Sequence, residues 1–242
     1  MSRISELLSH SSFFSNDRGS AEVPASCPEV SDPFWDELHG QAQGLLGSIL
    51  RSKTRDGRPV RTVGLTSCYR QEGVSTIATV LARAAAAQRR TLLIDANLAH
   101  PSLAAFWNIQ AEPGLVQAMS GKCQTADCIH QLPSGVSVLT AGLALGQRET
   151  FLAADRFLSL VHAISARFDL VLIDLPGVHE EPSTFELCSL LDGVALVVEA
   201  ERVHWQAGQR EVTRLRQSGA HLLGAVLNKR RDYIPDWLYR VL

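Results

Sequence analysis

The chain reads as an α/β protein with a doubly wound, mostly parallel sheet flanked by helices. Three observations predict this. Six short apolar runs, at 61–67, 91–96, 136–141, 170–175, 193–199 and 222–228, alternate with segments of helical period. The runs are near-continuous in Val, Ile and Leu, the pattern of strands covered on both faces. The first run leads into a glycine-containing loop that opens a helix, and ligands of such sheets bind at the carboxyl ends of the strands.

The elements follow in order. Residues 1–32 are rich in Ser, Pro and small polar residues and read as a disordered arm. Asp32-Pro33 starts a leading helix over 33–52, with Phe34, Leu38, Leu45, Leu46 and Leu50 at roughly helical spacing. Lys53, Arg55, Asp56 and Gly57 mark a turn, after which one domain, 53–232, holds the sheet. Its helices are expected at 75–88, 101–120 (broken around Pro113-Gly114), 151–167, 182–191 and 204–218. The tail, 233–242, carries Tyr233, Ile234, Trp237, Leu238 and Val241. It reads either as a last helix on the domain's own surface or as a partner-docking element.

Composition narrows the function classes. The 242 residues suit one α/β domain with a tail, and the hydrophobic fraction of 45% is that of a globular chain. A net charge of −2 provides no global field for nucleic acid or an anionic membrane. The start has no secretory pattern, and no run approaches ~18 apolar residues, so membrane contact is expected only through a partner. Five scattered cysteines (Cys27, Cys68, Cys123, Cys128, Cys188) lack C-x-x-C pairs. Reduced thiols are the expectation, with Cys123 and Cys128 an incidental pair. The eight histidines show no metal-ligand spacing; His179, soon after Asp174, reads as a solvated loop residue. Arg89-Arg90 suits a helix end.

The chemistry concentrates in VRTVGLTSCYRQEGVSTIATVLA, residues 60–82. A phosphate is held by the free N–H groups and dipole of a helix N-terminus, usually after G-x-x-x-x-G-K-[ST]. Gly73 is the second glycine and Ser75-Thr76 the hydroxyl pair, but Val74 stands at the lysine position and Gln71 where another glycine is expected. Asp95 ends TLLIDA and Asp174 ends LVLIDLP, each a carboxylate closing an apolar strand run, an arrangement suited to Mg²⁺ or to positioning water. Asp192 before Gly193 belongs to a turn. Asn228-Lys229 closes the last strand, where such a pair can face a purine.

These segments, with TLLIDANLAHPSLAAFWNI, EPGLVQAMSGK, VSVLTAG, FDLVLIDLPG, DGVALVVEA and LLGAVLNK, resemble the cytoplasmic domain of CpsD/CapB-type bacterial tyrosine kinases. Those are P-loop relatives of the MinD and ParA ATPases, with a three-layer sandwich fold. The resemblance covers roughly three-quarters of the chain, in order and spacing. It implies an ATP/ADP and Mg²⁺ site in which residues 72–76 cradle phosphates, within a loop made of Arg70, Gln71, Glu72, Gly73, Val74, Ser75 and Thr76. It implies Ser75 as Mg²⁺ ligand, Asp95 and Asp174 as its acidic catalytic partners, and Asn228 at the adenine. It further implies a membrane-embedded polysaccharide chain-length regulator as partner in exopolysaccharide export, and a cytoplasmic place peripheral to the inner membrane through that partner.

The departures from the family pattern are as informative. Besides Val74 and Gln71, Arg70 replaces the loop proline, Asn97 the second acid of D-x-D, and Ala99 and His100 the basic residues after it. ELHGQAQGLLGS lacks the arginines of the family's E-x-x-R-x-x-R self-association motif, so a family-type ring is not expected, while a homodimer across the nucleotide face stays open. Only Tyr233 and Tyr239 stand where the family has a tyrosine cluster. Weak or absent nucleotide binding is expected, with Arg70 the candidate substitute cation. Three functions compete: a pseudo-ATPase partner module, an active ATP-dependent tyrosine kinase, and a ParA/MinD-like positioning ATPase. The last needs a further lysine near the loop's start, where Tyr69 stands, and a basic surface run.

Overall fold

The computed structural model describes residues 33–142 and 154–229, the side chains of residues 33–39 excepted. The arm, the tail and the two tail tyrosines of the sequence reading lie outside the described residues. The chain runs α1 (Pro33–Arg51), β1 (Thr62–Ser67), α2 (Val74–Ala86), β2 (Thr91–Asp95), α3 (Leu103–Trp107), α4 (Leu115–Met119), a 3-10 turn (Thr125–Cys128), β3 (Ile129–Gln131) and β4 (Ser137–Leu139). It continues with α5 (Ala154–Ser165), β5 (Leu170–Asp174), α6 (Ser183–Ser189), β6 (Gly193–Glu199), α7 (Trp205–Gln217) and β7 (Leu222–Asn228).

The seven strands form one sheet in the order β3-β4-β2-β5-β1-β6-β7. All neighbours pair in parallel except β3 with β4. Every apolar run read as a strand is one. β3 is an addition: three residues, Ile129-His130-Gln131, too short and too polar to show a period. They reverse against β4 at the sheet edge.

Alternation along the strands splits the core in two. Leu92, Ile94, Val171 and Ile173 point into one apolar cluster, around Phe157, Leu160 and Leu187. Leu93, Leu170, Leu172, Val63 and Leu65 point into the other, under α2 and α1. Two covered faces explain why these strands read as unbroken apolar runs. β7 departs from that rule: Gly224, Ala225 and Leu227 are exposed, as expected of an edge strand. Asp192 fixes the turn before β6 to β1, its Oδ2 accepting the N–H groups of Arg61 and Thr62, both at 3.0 Å.

The cysteine expectation is overturned. Cys123 and Cys128 form a disulfide across the 3-10 turn, while Cys68 and Cys188 are buried thiols. The 3-10 turn folds the intervening residues back, a proximity that spacing alone does not reveal. No helix among the described residues is long and apolar enough to cross a membrane.

Candidate nucleotide site

β1 ends at Ser67 and the chain turns through residues 68–73 into α2. Gln71 (φ 66°) and Gly73 (φ 90°) both occupy the left-handed region. At Gly73 the positive φ strains any side chain, and a Cβ would displace Nδ2 of Asn228 from the loop. At Gln71 the strain is carried by a residue with a Cβ, a cost of about 1 kcal/mol. α2 begins without a side-chain cap, so its first N–H groups remain open to a ligand.

Arg70 through Thr76 all line a cavity of about 240 Å³, which Asn97, His100, Gly177, Asn228 and Lys229 also face. The structure therefore brings the predicted loop and Asn228 together. Asn228 donates from Nδ2 to the carbonyl of Glu72 at 2.8 Å, so in this conformation it secures the loop. Val74 lines the cavity and is buried in the cluster below it, placing an isopropyl group where an ammonium is usual. Glu72 is fully buried and its Oε2 accepts the Cys68 N–H at 3.1 Å. Burial pushes its carboxyl up to about 7, against the N–H groups of Cys68 and Tyr69 and the Arg202 charge.

Asp95 and Asp174 are register neighbours on β2 and β5, and both are fully buried. Asp95 is occupied: Oδ1 accepts the N–H of Asn97 at 3.2 Å, and Oδ2 those of Ser102 and Leu103 at 3.0 Å. It caps the start of α3. Burial raises its carboxyl to about 6, opposed by those three N–H groups. Asp174 is different, because neither oxygen completes a hydrogen bond. Burial, then the neighbouring Asp95 charge, lift it well above the carboxylate range, and the approaching Ser75 hydroxyl opposes this only in part. An orphaned buried carboxylate beside a hydroxyl at a helix start fits a hard divalent cation. His179 sits at the surface with its ring edge-on to Tyr69, centroids 5.2 Å apart.

At the far rim lie Arg202 and Glu199, which sequence reasoning missed, and Lys229, which it placed beside a purine. Lys229 Nζ donates to the carbonyl of Gln71 at 2.7 Å, and Arg202 Nη1 to that of Arg70 at 2.9 Å. Both also bond Oε2 of Glu199. Position after a strand end was the one available signal, for Lys229.

Fold and loop together define a P-loop NTPase-type domain. Comparison with known proteins narrows this. No protein-family model matches the chain. The tyrosine-protein kinase ptk of Acinetobacter johnsonii is 31% identical over 64% of this chain and 21% of its own length. The tyrosine-protein kinase CpsD of Streptococcus agalactiae is 29% identical over 75% of this chain and 80% of its own. The succinoglycan biosynthesis transport protein ExoP of Rhizobium meliloti is 30% identical over 72% of this chain, which spans 23% of it. Among solved structures, the VpsO kinase domain superposes with a TM-score of 0.72 at 28% identity, covering 83% of this chain and 100% of that one. The kinase domain of the Escherichia coli tyrosine kinase ETK superposes at 0.74, with 20% identity over 85% of this chain and 79% of that one, a likeness of fold. The relatives and solved structures that the chain resembles are thus bacterial tyrosine kinases of the CpsD, CapB and ptk kind and their kinase domains.

Proposed function

We propose that this chain is a degenerate P-loop module, a pseudo-ATPase that partners a membrane polysaccharide chain-length regulator in exopolysaccharide or capsule export. The carrying observation is Val74, whose side chain fills the place of the loop lysine inside an otherwise formed cavity. Phosphoryl transfer depends almost wholly on positioning and charge neutralisation, and a cation supplied to its transition state contributes about 10³–10⁵ in rate. Binding is less affected, because the uncapped helix start and the loop N–H groups remain. ATP/ADP with Mg²⁺ is the ligand class: Ser75 with Asp174 would hold the metal, and residues 72–76 the phosphates. Mg²⁺, when bound, supplies charge neutralisation at the phosphates. Thr76 adds a second hydroxyl to the helix start, and Asn228 holds the loop through the Glu72 carbonyl. Asp95 positions α3 and with it Asn97 and His100 on the cavity wall.

The names of ptk, CpsD and ExoP support the assignment to tyrosine-kinase-related polysaccharide machinery. A second reading, an active autophosphorylating tyrosine kinase, is favoured by one observation, the orphaned Asp174 oxygens beside Ser75. Arg70, on the cavity wall, would then be its cation. Calorimetric titration with ADP and ATP plus Mg²⁺, followed by phosphate release, separates the two. Binding without turnover supports the module; turnover at a rate typical of such kinases overturns it. Capture of the cytoplasmic end of a chain-length regulator from a membrane extract tests the partner.

A further inference from the structure

Three consecutive loop carbonyls are each held by a different side chain from the end of the β6–β7 ladder. Arg202 takes Arg70, Lys229 takes Gln71 and Asn228 takes Glu72, at 2.9, 2.7 and 2.8 Å. Glu199 ties the two cations together, accepting from Arg202 at 3.0 Å and from Lys229 at 3.2 Å. All three donors reach across a wide sequence gap onto one short turn. That turn contains Gln71 in a left-handed conformation that strains any residue but glycine.

We propose that Glu199, Arg202 and Lys229 are positioning residues that brace the loop crest in its anion-ready shape without a bound ligand. A carbonyl held from outside points its peptide N–H in the opposite direction within the same peptide plane, which for residues 71–73 orients the N–H groups that follow each braced carbonyl. The brace therefore sets the direction of the donors on which a phosphate depends in a loop lacking its lysine. Two cations share one carboxylate, leaving one net positive charge at the rim. Lys229 also lines the cavity and keeps a third N–H for a ligand oxygen. The class of ligand is a nucleoside di- or triphosphate, held by its phosphates. The ligand assignment rests on the proposed nucleotide site; the brace itself does not.

The test uses the full chain and two readouts. Hydrogen exchange of the ligand-free protein is measured for wild type, Lys229→Met, Glu199→Gln and Lys229→Arg. A charge-assisted bond of this kind corresponds to about a tenfold to hundredfold change. Amides of residues 70–74 should exchange that much faster in the first two variants, with β2 and β5 unchanged, and recover in Lys229→Arg. Unchanged exchange at the loop overturns the brace. So does acceleration spread evenly over the sheet, which marks a merely structural role. Titration with Mg-ADP and with adenosine then addresses the ligand. ADP should weaken about tenfold in Lys229→Met with adenosine unaffected, and equal weakening of both overturns the phosphate assignment. If wild type binds no ADP while loop exchange responds, the nucleotide reading fails and the brace stands.

Discussion

Replacing Val74 with lysine should recover what the loop lacks. Val74 opens α2, faces the cavity of about 240 Å³ and leaves its back on the apolar cluster beneath. A lysine stem can follow the same apolar wall and place its ammonium in the cavity. One charge-assisted hydrogen bond to a phosphate contributes roughly 1.5–3 kcal/mol, so Mg-ADP affinity should rise by about one to two decades. The effect on chemistry should be larger, up to about 10³-fold or more in phosphate release, because the charge acts where it develops. Gln71 stays in its strained conformation and limits full recovery, so Val74→Lys with Gln71→Gly should exceed Val74→Lys alone. Calorimetry and a phosphate-release assay on the three proteins check this. The reasoning is refuted if Val74→Lys binds ADP no better than wild type while remaining folded, or if wild type already hydrolyses ATP as fast as the variant.

Further outcomes follow from the burial and bonding of particular residues. Glu72 keeps its proton in the folded state from its ordinary 4.5 up to about 7, whereas the unfolded chain releases it. Its stability contribution is therefore present at low pH and lost as pH rises through that window, on the order of 3 kcal/mol, and Glu72→Gln should flatten the denaturant-midpoint profile between pH 5 and 8 by about that much. Asp192→Ala strands the N–H groups of Arg61 and Thr62 and should lower unfolding stability by about 2 kcal/mol in urea melts. Alkylation of the denatured, unreduced chain should modify Cys68 and Cys188 and leave Cys123 and Cys128 unmodified until reduction; labelling of Cys123 and Cys128 before reduction would refute the bond between them.

The sheet was legible because burial on both faces leaves so little polar content in β1, β2, β5 and β6 that their limits show as composition. β3 was not, since three residues at an edge carry no period. The loop and its missing charge were legible at Val74, because one position in a fixed spacing decides it. The demand for positive φ at Gln71 followed from the same spacing and is met in the structure. The brace could not be read. Glu199 and Arg202 look like ordinary surface charges, and Lys229 like a residue facing a base, until β6 and β7 lie side by side against the loop. The function of Asp95 was ambiguous for a related reason. A strand-end carboxylate serves equally as a metal partner or as a helix cap, and only the bonds to Asn97, Ser102 and Leu103 reveal the cap.

Asp174 and Val74 point in opposite directions, and their magnitudes decide how both fit one protein. A buried carboxyl with neither oxygen satisfied, beside a second buried carboxyl, costs the free chain about 1–3 kcal/mol. Asp174→Asn removes an ionisable group whose carboxyl is lifted first by burial and then by the Asp95 charge, so it should stabilise the ligand-free protein by about 1 kcal/mol or more at pH 7.5 and by less at pH 5. A cation held through Ser75 would offset the same cost. Wild type should therefore gain several degrees in thermal midpoint from millimolar Mg²⁺ with ADP, and Asp174→Asn should gain little. A site that keeps the metal's carboxylate but lacks the loop ammonium can hold a Mg-nucleotide without driving its cleavage. Equal Mg-ADP stabilisation of wild type and Asp174→Asn would show that the orphaned carboxylate has no part in binding.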